Sequence, residues 1–190
     1  DEGDALIDVQ LCDANSDIVL ATQDGMSIRF HQGDVREMGR ATAGVKGSEL
    51  DAEDAVIGMV IVRREATLLV VSEKGYGKRS ELVEYRVQKR GGKGIITLKK
   101  TEKTGRMVAL KEVIPDDELM MITRHGVVIR VPVEGISVIG RNTQGVRVMN
   151  LDAGDNLVDV ARVVKEDDNG TEEPTGDEAT APADETGGEA

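Results

Sequence analysis

The sequence predicts an all-β fold of propeller-like blades. Three observations predict it: a repeat of about fifty residues, a glycine turn at one place in each repeat, and about four apolar or alternating segments per repeat.

The glycine turns come first along each repeat. Ile18 to Thr22 runs into Gln23-Asp24-Gly25, Leu68 to Ser72 into Glu73-Lys74-Gly75, and Leu119 to Thr123 into Arg124-His125-Gly126. Each is expected to be a β-hairpin, because glycine takes positive φ in a tight turn at little steric cost. The turn glycines stand 50 and 51 residues apart.

A second landmark keeps the same spacing: Arg40-Ala-Thr-Ala-Gly44-Val45, Arg90-Gly-Gly-Lys-Gly94-Ile95 and Arg141-Asn-Thr-Gln-Gly145-Val146. Here Gly44, Gly94 and Gly145 are expected to set a bend between the third and fourth strands. Each repeat then continues into a β-rich run, Ala55 to Val62, Met107 to Val113 or Leu157 to Val164.

These marks divide residues 1–165 into pinwheel or propeller blades of about four strands, at 18–62, 63–113 and 114–165. Gly3-Asp4-Ala5-Leu6 resembles Gly154-Asp155-Asn156-Leu157, so residues 1–17 are expected to carry the last strand of a preceding blade. Three blades leave open sheet ends, and the chain is expected to be part of a larger domain.

The net charge of −12 is unevenly distributed. Residues 166–190 hold ten Asp or Glu and no Lys or Arg, and have almost no large apolar side chains. Such a segment cannot offset the entropy of ordering and is expected to be a disordered acidic tail. The middle repeat, 63–113, holds 14 Lys or Arg against 6 Asp or Glu.

That positive balance makes the middle repeat the candidate surface for a phosphate chain. Gln88-Lys89-Arg90-Gly91-Gly92-Lys93-Gly94 sets three cations among glycines, which let backbone N–H groups and side-chain charge approach phosphates together. Lys78 and Arg79 precede it, Lys99, Lys100 and Lys103 follow, and Arg40, Lys46, Arg141 and Arg147 occupy related places in the flanking repeats. The expected partner is double-stranded DNA, bound without base readout and bent along the blade rims.

At Gln88 to Gly94 the sequence resembles the seven-residue box of the C-terminal β-pinwheel domain of bacterial DNA gyrase A subunits, with Lys89 where the box has Arg. Arg36 to Gly47, Glu73 to Arg79 and Val138 to Val146 are similar to the same domain, and the resemblance runs over residues 3 to 164. It implies part of a six-bladed β-pinwheel that wraps DNA during ATP-dependent negative supercoiling. It also implies an acidic tail that modulates wrapping, and as partners the rest of gyrase A and the gyrase B subunit in an A2B2 enzyme. The alternatives are a topoisomerase IV C-terminal domain and a protein-interaction propeller.

No catalytic residue, metal ligand set or cofactor is expected. His31, His125 and Cys12 are isolated, without zinc spacing or a nucleophile–base arrangement. Gly91-Gly92-Lys93-Gly94 lacks the Ser or Thr that follows Lys in a Walker loop. Acidic groups such as Asp51 to Asp54, Asp116 to Glu118 and Asp152 to Asp155 are expected to be solvated turns. With one cysteine and no apolar run near 18 residues, a cytoplasmic, nucleoid-associated location is expected, with no membrane contact.

Overall fold

A computed structural model describes residues 3–62 and 65–163, so the acidic segment 166–190 lies outside the described residues. The strands are β1 (Asp17–Thr22), β2 (Met26–His31), β3 (Val56–Val62), β4 (Thr67–Ser72), β5 (Tyr76–Glu81), β6 (Ile95–Ile96), β7 (Met107–Val113), β8 (Glu118–Thr123), β9 (Val128–Pro132), β10 (Val146–Arg147) and β11 (Leu157–Val163). One-turn 3-10 segments at Gln32–Asp34, Leu82–Glu84 and Val133–Gly135 follow β2, β5 and β9.

The three predicted hairpins form in matching register. Ala21 faces Ser27, Val71 faces Gly77 and Ile122 faces Val128. Each turn is closed by its glycine N–H, which donates at 3.0 Å to the carbonyl of Thr22, Ser72 or Thr123. The hydroxyl of that same Ser or Thr accepts from the first N–H after the glycine. Asp54 and Asp155, read from sequence as solvated turn residues, instead hold neighbouring turns by accepting the N–H of Asp24 and His125.

The sheets do not coincide with the repeats. In strand order they are β3-β1-β2-β6, β10-β5-β4-β7 and β11-β8-β9, all with antiparallel pairing. The fourth strand of the first sheet is β6, from the second repeat, and that of the second sheet is β10, from the third. Four strands were expected in each blade; the third sheet has three among the described residues, because a fourth would come from a further repeat.

Gly94 and Gly145 are therefore crossing points between sheets as well as bends. They have φ of +79° and +77°, and a Cβ would meet the Ser27 carbonyl oxygen at 2.1 Å and the Gly77 oxygen at 2.7 Å. Only glycine lets β6 and β10 approach this closely.

Packing follows from strand alternation. On β4, Leu68 and Val70 point into a cluster with Val19, Val60, Tyr85, Leu98 and Leu110, which joins the first two sheets. Leu69 and Val71 point the other way, into a cluster with Ala109, Leu119, Met121, Met149 and Val160 that joins the second and third. A strand buried on both faces reads as a continuous apolar run, and Leu68-Leu69-Val70-Val71 is such a run. The innermost strands β3, β7 and β11 lie side by side.

Residues 4–13, expected within a strand of a preceding blade, carry no strand, and Leu6 and Leu11 are exposed. Without a neighbouring sheet this run has no ladder to join. Gln10 Nε2 does donate to the Met59 carbonyl at 2.9 Å, so the segment passes beside β3.

Candidate nucleic-acid interface

The box lies in a seam of three loops, one from each repeat. Its backbone runs beside residues 46–51: Gly91 N–H donates to the Gly47 carbonyl at 2.9 Å, and Gly92 carbonyl accepts from Glu49 N–H at 2.9 Å. On its other side Lys99 N–H donates to the Thr143 carbonyl at 2.9 Å. The structure thus brings together Arg40 to Lys46, Gln88 to Lys100 and Arg141 to Arg147, far apart in sequence.

The repeated arginines work as ties. Arg90 Nη1 donates to the Lys46 carbonyl and its Nε to the Asp34 carbonyl at 3.2 Å. Arg141 Nη1 donates to the Ile96 carbonyl at 2.7 Å, and Ile96 occupies the repeat position of Lys46. Each arginine fastens its repeat to the strand-exchange segment of the one before.

Lys78 and Arg79 are corrections to the expected DNA-contacting set, because both are buried. Lys78 Nζ donates to the carbonyls of Gly140, at 2.7 Å, and Arg141, and to Thr143 Oγ1 at 3.0 Å. Burial pulls its pKa from 10.5 to about 8; the Glu84 carboxylate opposes that fall and the Arg141 charge adds to it. Arg79 Nε donates to the Ile136 carbonyl at 2.8 Å. Both side chains hold the third repeat's loop.

The remaining predicted residues differ in availability. Gln88 is half-buried, with its N–H on the Arg29 carbonyl. Lys93 is exposed but paired with Asp51 at 2.6 Å, which raises its pKa through hydrogen bonding and charge. Lys100 is paired with Asp24. Arg147 Nη2 donates to Tyr76 Oη at 2.6 Å and its guanidinium lies 5.0 Å from that ring. Arg40, Lys46, Lys89 and Lys99 are exposed, and among the described residues their side chains have no hydrogen-bond or ion-pair partner.

One cluster escaped the sequence reading as a site. Lys103 Nζ also lies 5.0 Å from the centre of the Tyr76 ring, and with Lys74 and Arg147 it lines a recess of about 410 Å³. Positive charge on both Lys103 and Arg147 around one aromatic ring was the available signal, but the pairing crosses two repeats.

The family described as the DNA gyrase C-terminal domain, a beta-propeller, matches residues 16–63, 66–113 and 117–163. The chain belongs to this family. Among its relatives is the DNA gyrase A subunit of Haloquadratum walsbyi, 44% identical over 167 residues, covering 87% of this chain and 20% of the relative. The DNA gyrase A subunit of Staphylococcus epidermidis is 45% identical over 170 residues, covering 88% and 19%. The chain therefore spans about a fifth of the length of these gyrase A subunits.

Solved structures give the same answer for the fold. A DNA gyrase A C-terminal domain overlays with a TM-score of 0.74 at 30% identity, covering 79% of this chain and 51% of that one. A DNA topoisomerase IV C-terminal domain overlays at 0.77 with 22% identity, covering 82% and 49%, which is a likeness of fold. The all-β, blade-repeat reading and the resemblance to the gyrase family both hold. No helix among the described residues is long and apolar enough to cross a membrane.

Proposed function

We propose that this gyrase-family domain binds double-stranded DNA without sequence preference, and that the seam of loops is the contact surface. The observation that carries the reading is the run of Arg40, Lys46, Lys89 and Lys99, four exposed cations with no internal partner among the described residues, on adjoining loops of a curved repeat. Unpaired cations neutralise phosphates and release counterions, whereas a lysine already paired with a carboxylate must first give up that partner.

The mechanism is electrostatic. The backbone ties made by Arg90 and Arg141 fix the spacing of the loops, so the free cations meet the duplex as a preset stripe. Bending a site of 20 to 30 base pairs costs on the order of 1–6 kcal/mol, which phosphate contacts along the stripe offset. In this reading the domain makes and breaks no covalent bond, and acts as the DNA-wrapping part of a gyrase whose supercoiling chemistry belongs to other domains and to the gyrase B subunit, inside the cell.

The test is a salt titration of binding to a linear duplex. Replacing Lys46, Lys89 and Lys99 together by Ala lowers the log–log salt slope by about 2.7, from about 0.9 per phosphate contact. An unchanged slope removes the seam from the interface.

A further inference from the structure

The recess beside Tyr76 gathers positive charge that the joint between blades does not need. Tyr76, at the start of β5, is buried. Arg147 of β10 donates through Nη2 to its Oη at 2.6 Å and sets its guanidinium 5.0 Å from the ring centre. Lys103, from the loop before β7, sets its Nζ 5.0 Å from the same ring. Lys74, in the turn between β4 and β5, donates from Nζ to the Glu102 carbonyl. The three cations share the wall of one recess of about 410 Å³.

The equivalent joint between the first two repeats is built without them. Counting from the turn glycines Gly25 and Gly75, Asp24 stands where Lys74 does and Met26 where Tyr76 does. Counting from Gly94 and Gly145, Ile96 stands where Arg147 does. Glu53 stands where Lys103 does, one residue before the group that accepts the turn N–H, Asp54 from Asp24 and Thr104 from Lys74. Both joints nevertheless close with the same pairing, Met26 against Ile96 and Tyr76 against Arg147. The pairing is indifferent to charge, so the cluster is an addition to the second joint.

The cluster has no counter-charge of its own. None of Lys74, Lys103 and Arg147 has a carboxylate partner among the described residues. The one acid on the recess wall among them, Asp155, is committed elsewhere: its side chain is 3% exposed, and its Oδ1 accepts the N–H groups of His125 at 3.1 Å and Asn156 at 2.8 Å. Like charges held together repel, and an anion set between them returns that free energy. The Tyr76 hydroxyl accepts from Arg147, which leaves its own proton for a ligand oxygen.

We propose that this recess binds the dianionic phosphate of a free phosphomonoester. Arg147 and Lys103 neutralise its two charges, Lys74 closes the third side, and Tyr76 donates its hydroxyl proton to a phosphate oxygen. A dianion matches the cluster better than the single charge on each phosphate of a DNA strand. Small-molecule sites occupy about 300–1,000 Å³, so this recess also has room for the organic group of the ester, beside Leu151. None of Arg40, Lys46, Lys89 and Lys99 lines it, and the site does not depend on the DNA reading.

The test is a titration of the 190-residue chain with phenyl phosphate, followed by amide chemical shifts at fixed pH and ionic strength. A saturable shift is expected at Lys74, Lys103, Gly154 and Asn156. Lys103→Met with Arg147→Met, both changes at exposed side chains, weakens binding by about tenfold or more and leaves the rest of the spectrum in place. Replacing Lys46, Lys89 and Lys99 by Ala leaves the affinity unchanged, which separates this site from the DNA stripe. Dimethyl phosphate, a diester with one charge, binds the unaltered chain about fivefold more weakly or worse. Shifts that do not saturate, or full affinity in the Lys103 and Arg147 double variant, overturn the proposal. So does equal affinity for the diester, which would make the recess a landing point for a DNA backbone phosphate.

Discussion

Lys78 and Gly140 stand 62 residues apart and meet at 2.7 Å, the ammonium of a β5 lysine donating to a glycine carbonyl in the loop that covers it. The contact joins the middle repeat to the loop of the last one, and it makes Lys78 a titrating part of the fold.

The sign of its pH dependence follows from the depressed pKa. Below about 8 the folded and unfolded chains both carry the Lys78 proton; from about 8 to 10.5 the unfolded chain binds more, so stability rises with pH across that window. In chemical denaturation, the wild-type minus Lys78→Met difference in unfolding free energy is expected to climb between those limits. A flat or falling difference contradicts the burial.

Gly145 and Gly44 share positive φ but differ in surroundings, which separates backbone strain from collision. Gly44→Ala bears only the conformational penalty, about 1–2 kcal/mol. Gly145→Ala adds a clash with the Gly77 carbonyl at 2.7 Å and is expected to lower the melting temperature further. Equal shifts at low protein concentration contradict the crossing of β10 over β5.

Leu69 lies in the joint between the second and third sheets with no exposed surface, whereas Met120 is exposed on the outward face of the third. Leu69→Ala is expected to destabilise by about 2–5 kcal/mol and Met120→Ala by under about 1 kcal/mol, measured by urea titration.

Asp51 and Asp24 occupy the lysines that border the proposed DNA stripe. Replacing both by Asn frees Lys93 and Lys100 and is expected to tighten duplex binding at low salt, by up to about fivefold per pair for surface ion pairs of about 0–1 kcal/mol. Unchanged or weaker binding places both lysines off the path of the DNA.

The hairpins were legible because their turns carry local chemistry: a glycine at positive φ, a Ser or Thr beneath it, and apolar runs on one side. Strand exchange was not legible. β6 and β10 are two residues each, and what places them is a long-range approach to Ser27 and Gly77 that leaves no local pattern beyond a glycine.

Lys78 and Arg79 misled for a related reason. Tyr76-Gly77-Lys78-Arg79-Ser80-Glu81 is polar enough to suggest a solvated strand, and its cover arrives from residues 136–143. The basic loop itself was found from charge alone, but its sorting into free, paired and tying cations required the neighbouring repeats. Arg90 and Arg141 were singled out correctly as recurrent, and their recurrence reflects the need to hold a neighbour's backbone.

Strand exchange also gives the chain an order of assembly. The first sheet begins at Asp17 and is complete only when Ile96 has arrived; the second begins at Thr67 and waits for Arg147. During synthesis from the N-terminus, each hairpin therefore emerges as a provisional structure with an open border, and it is sealed by chain made later. A chain that stops before residue 95 leaves the β2 border of the first sheet without its partner strand, and unpaired strand borders are where aggregation begins.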